Sequence, residues 1–185
     1  MPAFRDVIYT EQNRAIYDYW SSRLGGKAAP SRDEIDPTDI PQLLRHIYMW
    51  QLEKDGTTLT GRLFGTAYTD FSGADFRGRT FEQAHRESNP LLFERLQAGH
   101  LRCLRDCDPF VVVRTNHAFN RRYRAYEGMI LPVTDGTGRP YILLGGLVPL
   151  FGRPTEVPSE LDVGRYASEA VPENDAVIGG CKLQR

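Results

Sequence analysis

The residues best equipped for chemistry are His100, Cys103 and Cys107, which fall at i, i+3 and i+7 of a segment with helical periodicity, so their side chains share one face. An imidazole and two thiolates are the donor set of a zinc ion. A structural zinc site takes four ligands, normally from more than one segment, and the sequence offers no second Cys/His cluster; Cys181 is far away in the tail. The same three residues also form the stripe that a helix buries, with cysteine as a small hydrophobe. That is the reading adopted, and no metal is assigned. Asp33, Asp36 and Asp39 recur at three-residue spacing without the glycine and terminal glutamate of a calcium loop, so they read as turn and cap residues.

A second group lies on segments with strand character. Arg62, Arg114, His117 and Arg124 would select a carboxylate or phosphate if one guanidinium turned inward. Alternation leaves the face open, because both sides of these strands carry apolar groups. Arg121-Arg122-Tyr123-Arg124 reads as a charged hairpin edge protected against strand addition. Catalytic signatures are missing: there is no Gly-x-Ser-x-Gly, no His-Glu-x-x-His, no phosphate-binding Gly-x-x-x-x-Gly-Lys-Ser/Thr and no dinucleotide glycine pattern.

The elements that must position these residues follow from pattern and punctuation. Thr10 can cap a helix running to Leu24, with Ile16, Tyr19, Trp20 and Leu24 on one face, and Gly25-Gly26 ends it. Asp39 and Gln42 have capping-box spacing for a short turn carrying Leu43 and Leu44. His46 to Glu53 alternates Ile47 and Met49 against Tyr48, Trp50 and Leu52, a strand covered on both sides. Asp55-Gly56 turns it back into Leu59 to Thr66. Short helices follow, one opened by Thr80 and Gln83, then a longer helix from Asn89-Pro90 to about Asp106. Three strands complete the order, at Phe110 to His117, Arg121 to Val133 and Tyr141 to Leu150.

At 185 residues, 41% hydrophobic and 25% charged, the chain is expected to form one globular domain with a tail. Twenty-three basic against 24 acidic residues leave a net charge of −1, which argues against a coat for nucleic acid or an anionic membrane. Three cysteines give no disulfide framework. No apolar run reaches the roughly 18–20 residues that span a bilayer, and Met1-Pro2-Ala3-Phe4-Arg5-Asp6 has no basic lead into an apolar core, so a cytoplasmic protein is expected.

Strand runs flanking a helical insert indicate an α+β fold with an antiparallel sheet. This order resembles that of a PAS domain. Tyr19-Trp20, Arg23-Leu24, Pro30-x-Arg32, Asp36-Pro37 and Ile40-Pro41-x-Leu43-Leu44 resemble the opening of a bacterial PAS-like family of mostly small proteins. Arg62-Leu63-Phe64-Gly65-Thr66 with Gly78-Arg79 looks like its second strand and following loop; Leu131-Pro132-Val133 and Ile142-Leu143-Leu144-Gly145 look like its last two strands. The likeness covers about residues 15–150. Arg45 stands where proline is expected, and Val133 where leucine is usual.

The resemblance implies a five-stranded antiparallel sheet with helices over one face, often around a small cavity, and an N-terminal helix. It divides the chain into an N-terminal helix (1–29), a core (30–151) and a tail (152–185). It implies a non-enzymatic sensory or regulatory module of bacterial signalling that acts by small-ligand binding, protein–protein binding or both. In such a fold His85 and His100 lie on segments that wall the cavity, and either imidazole could ligate a haem iron. The cysteine motif of flavin-binding photosensors is absent, and the cofactor is left unassigned. The expected ligand-binding residues are Arg62, His85, His100, Cys103 and Tyr126. Tyr17 and Trp20 are the expected homodimer contact, against the alternative that Trp20 packs on its own sheet. The competing functional class is a small-molecule enzyme using His85, His100 or a buried carboxylate as general base; a third is a structural interaction protein with a filled core.

Overall fold

The structure, a computed structural model, describes residues 3–86, 90–115 and 125–150. Helix α1 (Glu11–Ser22) starts where the Thr10 hydroxyl accepts the Asn13 backbone N–H at 3.3 Å. A hairpin of β1 (Ile47–Leu52) and β2 (Leu59–Phe64) follows, and its turn is tied by the Asp55 carboxylate, which accepts the Thr57 and Thr58 N–H groups at 2.9 Å each. Helices α2 (Thr66–Ser72), α3 (Phe81–His85) and α4 (Pro90–Asp106) lead to β3 (Phe110–Thr115), β4 (Ala125–Thr134) and β5 (Pro140–Leu150).

All five strands form one sheet in the order β2-β1-β5-β4-β3, with every pairing antiparallel. The early hairpin therefore zips against the late strands, and α2 to α4 fill the connection between them. His117 and Arg121 to Arg124 lie outside the described residues, as does everything after Leu150, Cys181 included.

Period-two alternation in β1 explains the layering. Ile47 and Met49 face one side, Tyr48 and Trp50 the other, and all four are buried. On the first side, called the outer face here, α1 lays Ile16, Tyr19 and Trp20 against Ile47, Met49, Met129 and Leu131. On the inner face α2, α3 and α4 bring Tyr68, Phe81 and Leu104 onto Tyr48, Trp50, Ile130 and Leu143. The N-terminal helix thus covers the face opposite the other helices. Adjacent glycines in β5 let both layers close down. A Cβ at Gly145 would stand 2.0 Å from the Tyr48 ring on the inner side, and one at Gly146 would stand 2.1 Å from Asn13 Oδ1 on the outer side.

Three expectations change here. Trp20 belongs to the core of its own chain: it is fully buried, and its indole Nε1–H donates to the Pro132 carbonyl at 2.8 Å, so the ring has no surface to offer a second copy. Cys107 does not continue the helical stripe. It follows the last helical residue with a left-handed φ of 53°, and the Asp108 N–H reaches back to the Cys103 carbonyl at 3.2 Å to cap the helix. Asp39 caps nothing. Its carboxylate accepts from Arg23 at 2.9 Å and from the Tyr19 hydroxyl at 3.1 Å, which pins the connector to α1.

Candidate functional site

The Thr80–Gln83 capping box expected from the sequence forms: Thr80 Oγ1 accepts the Gln83 N–H at 3.2 Å, and Gln83 Oε1 accepts the Thr80 N–H at 2.9 Å. The five-residue helix it starts ends at His85 and aims that imidazole at the inner face of the sheet. The ring lies 4.4 Å from Phe81, 5.6 Å from Phe76 and 6.0 Å from Trp50. Burial, reinforced by nearby His100, pushes its pKa down to about 3, so the imidazole is neutral at physiological pH. The Tyr68 hydroxyl stands 3.5 Å from His85 Nε2, at the limit of a hydrogen bond, and burial holds that phenol well above its usual range.

His100 approaches the same rings from α4. Its Nδ1 donates to the Leu96 carbonyl at 2.7 Å, one turn back, which fixes the tautomer, and its ring is 4.8 Å from Phe81. Cys103 is buried with Sγ directed at the Ile130 carbonyl at 3.8 Å. Burial drives its thiol pKa up, which makes it a hydrophobe and not a thiolate. Tyr126, half-buried on β4, rests against Phe71 at 4.9 Å. The structure therefore brings His85, His100, Cys103 and Tyr126 to the inner side of the sheet.

Arg62 is not with them. A register shift beside Trp50 accompanies an Arg62 side chain that is exposed, where it donates to Gln51 at 3.0 Å and pairs with Glu53 at 3.3 Å. A guanidinium is satisfied by water and a carboxylate there; the aromatic inner side offers neither. The side chain of Arg114 lies outside the described set. Tyr17 is half-buried between Phe4 at 5.1 Å and Trp20 at 5.9 Å.

The residue that sequence reasoning missed on the inner face is Trp50. It is fully buried, with Phe64 and Phe81 meeting it edge-on at 5.0 Å each, and its Nε1–H finds no hydrogen-bond acceptor among the described residues. The residue missed on the outer face is Glu127. Its Oε1 accepts the Tyr9 N–H at 2.5 Å, while Oε2 accepts the Thr10 N–H at 3.0 Å, the Asn13 side-chain amide at 2.9 Å and the Thr10 hydroxyl. Burial pushes the Glu127 carboxyl pKa up, against the pull of these hydrogen bonds. The carboxylate thus caps α1 from the neighbouring sheet, where the helix dipole also favours negative charge. An acid at an otherwise apolar strand position, with Thr10 and Asn13 at cap spacing elsewhere, was the available signal.

Chemically, the inner side is a wall of rings with a few uncharged polar points. Burial lowers the basicity of His85, the Tyr68 hydroxyl stands near its Nε2, and the buried carboxylate Glu127 is engaged on the opposite face. Among the described residues no three His, Cys, Asp or Glu side chains gather in a metal-holding group.

A five-stranded antiparallel sheet in this order, with helices inserted between its second and third strands in sequence, defines an α+β module of the PAS type. The sequence profile of the PAS domain family matches residues 8–148, and the chain belongs to that family. Comparison with curated proteins and with solved structures finds no match. PAS domains are in general sensory and regulatory modules without enzymatic activity. No helix among the described residues is long and apolar enough to cross a membrane.

Proposed function

We propose that this chain is a sensory module whose inner aromatic side takes up a small molecule, with His85, His100, Cys103, Tyr126 and Trp50 around it, and whose bound state is read by a protein partner or a second copy. The observation that carries this reading is the buried indole N–H of Trp50, which has no acceptor among the described residues although it sits in a wall of rings. A folded protein rarely leaves such a donor unpaired, because an unmet buried donor costs roughly 1–3 kcal/mol. Tyr17, half-buried on α1, is the residue assigned to partner contact in this reading.

Native mass spectrometry on protein purified without denaturant tests the proposal. The expected result is a retained small molecule, or, if the chain is empty, a thermal shift when a panel of small apolar molecules is added. A chain that carries no extra mass and is stabilised by none of them contradicts ligand sensing.

A further inference from the structure

We propose that the inner site selects an uncharged, flat aromatic molecule bearing one hydrogen-bond acceptor, and that Trp50 Nε1 is the donor that orients it. The inference rests on the ligand-sensing reading above and names the class of ligand. Three observations carry it.

The first is the contrast between the two indoles of this chain. Trp20 Nε1 has an ordinary acceptor, the Pro132 carbonyl at 2.8 Å, whereas Trp50 Nε1 has none among the described residues although both rings are fully buried. The missing partner must accept and need not donate, since an indole nitrogen only donates.

The second is the shape of the surroundings. Phe64 and Phe81 stand edge-on to the indole at 77° and 68°, and Phe76, Tyr68 and His85 continue the wall. Rings in these arrangements favour a flat partner that stacks or meets them edge to face. An N–H directed at a ring face is a weaker substitute for a true acceptor.

The third is the absence of compensating charge. Among the described residues, the buried ionisable groups on this side are His85 and His100, with Tyr48, Tyr68 and Cys103; the buried carboxylate Glu127 serves α1 on the other face. Among the described residues there, no buried lysine or arginine meets an anion and no buried carboxylate meets a cation. A charged ligand would lose its hydration without a partner.

The test uses the full chain labelled with 15N at the indole nitrogens, which gives one N–H signal for each of its two tryptophans. Three probes are titrated at neutral pH: quinoline, which is flat and carries one acceptor; naphthalene, the same outline without it; and quinoline-4-carboxylate, which adds a charge. Quinoline should move the Trp50 signal downfield in a saturable manner while the Trp20 signal, already bonded, stays in place. Naphthalene and the carboxylate should bind about tenfold more weakly or worse, the loss expected for one hydrogen bond or one unpaired charge. Trp50→Phe should abolish the preference for quinoline over naphthalene. If that variant fails to fold, the titration of the unmodified chain still decides.

Equal affinity for quinoline and naphthalene overturns the donor role. Preference for the carboxylate overturns the uncharged class. A Trp50 signal already in the bonded range and unmoved by any probe means that an ordered water is the acceptor, and also overturns the proposal. If none of the probes shifts any ring signal of the inner face, while another molecule from the panel is retained, the ligand class fails and ligand sensing survives. If the whole panel is inert, both fail.

Discussion

The two faces of the sheet solve the same problem in different ways. Each buries a tryptophan under a helical layer, and each carries an ionisable residue out of water. On the outer face the polar groups are tightly matched: Trp20 donates to Pro132, and Glu127 accepts from Tyr9, Thr10 and Asn13. Asn13 Oδ1 is the exception, pressed over Gly146 without a partner among the described residues. On the inner face ring contacts dominate, and the Trp50 indole N–H has no acceptor among the described residues. One face holds α1 in place. The other leaves the Trp50 donor without an acceptor among the described residues, and the proposed ligand reading rests on that difference.

The largest effects should come from breaking the outer face. Glu127→Ala strands the donors of Tyr9, Thr10 and Asn13 in a buried site, and the expected loss is about 3–5 kcal/mol in urea unfolding. Trp20→Ala should cost a similar ~3–5 kcal/mol by opening a large cavity and freeing the Pro132 carbonyl. Its soluble yield should fall, and the sedimentation mass of the surviving protein should be that of the parent. A fall in sedimentation mass with full yield would return Trp20 to a dimer contact.

Acid should separate the faces further. His85 has a folded pKa of about 3 against an ordinary 6.5, so between those values the unfolded chain holds a proton that the folded chain refuses. Stability should therefore fall as pH drops from about 6.5 toward 3. Glu127 has the opposite sign: its raised folded pKa means the folded chain holds the proton more firmly just above the ordinary carboxyl value, so its contribution rises as pH falls there. Chemical unfolding at a series of pH values should give a flatter acid limb for His85→Phe and a steeper one for Glu127→Gln. An unchanged acid limb in His85→Phe would mean that the imidazole is not held neutral.

A smaller effect is expected from Gly146→Ala, which drives a methyl group against Asn13 and pushes α1 off the sheet. The expected cost is about 1–3 kcal/mol. Hydrogen exchange should report it as lost protection in α1, with α3 and α4 unchanged. Equal loss in both layers would show that the faces are not independent.

Much of this architecture was legible in the chain. Thr10 and Thr80 announced their helices through cap chemistry, and the alternation of Ile47, Tyr48, Met49 and Trp50 announced a strand covered on both sides. Local signals fail where the decisive partner is remote. Glu127 meets Thr10 across 117 positions, so nothing beside it in sequence hints at a helix cap. Arg62 lies in a strand with apolar groups on both sides, and its side chain meets Gln51 on the facing strand and Glu53 just beyond that strand's end. Cys107 has the spacing of the helical stripe, but the chain leaves the helix one residue earlier through a left-handed turn that a non-glycine residue seldom announces. Trp50 and Trp20 look alike in sequence, and only the fold separates them.

The most direct test of that separation is the pair Trp20→Phe and Trp50→Phe, compared by urea unfolding of the ligand-free chain. Both exchanges remove the same volume of ring and the same N–H from a fully buried position. The account predicts that Trp20→Phe is the less stable by about 1–3 kcal/mol, because it alone breaks a made hydrogen bond and leaves a carbonyl unmet. Equal losses, or a larger loss at Trp50, would show that its indole N–H is already satisfied within the chain and would contradict the distinction between the faces.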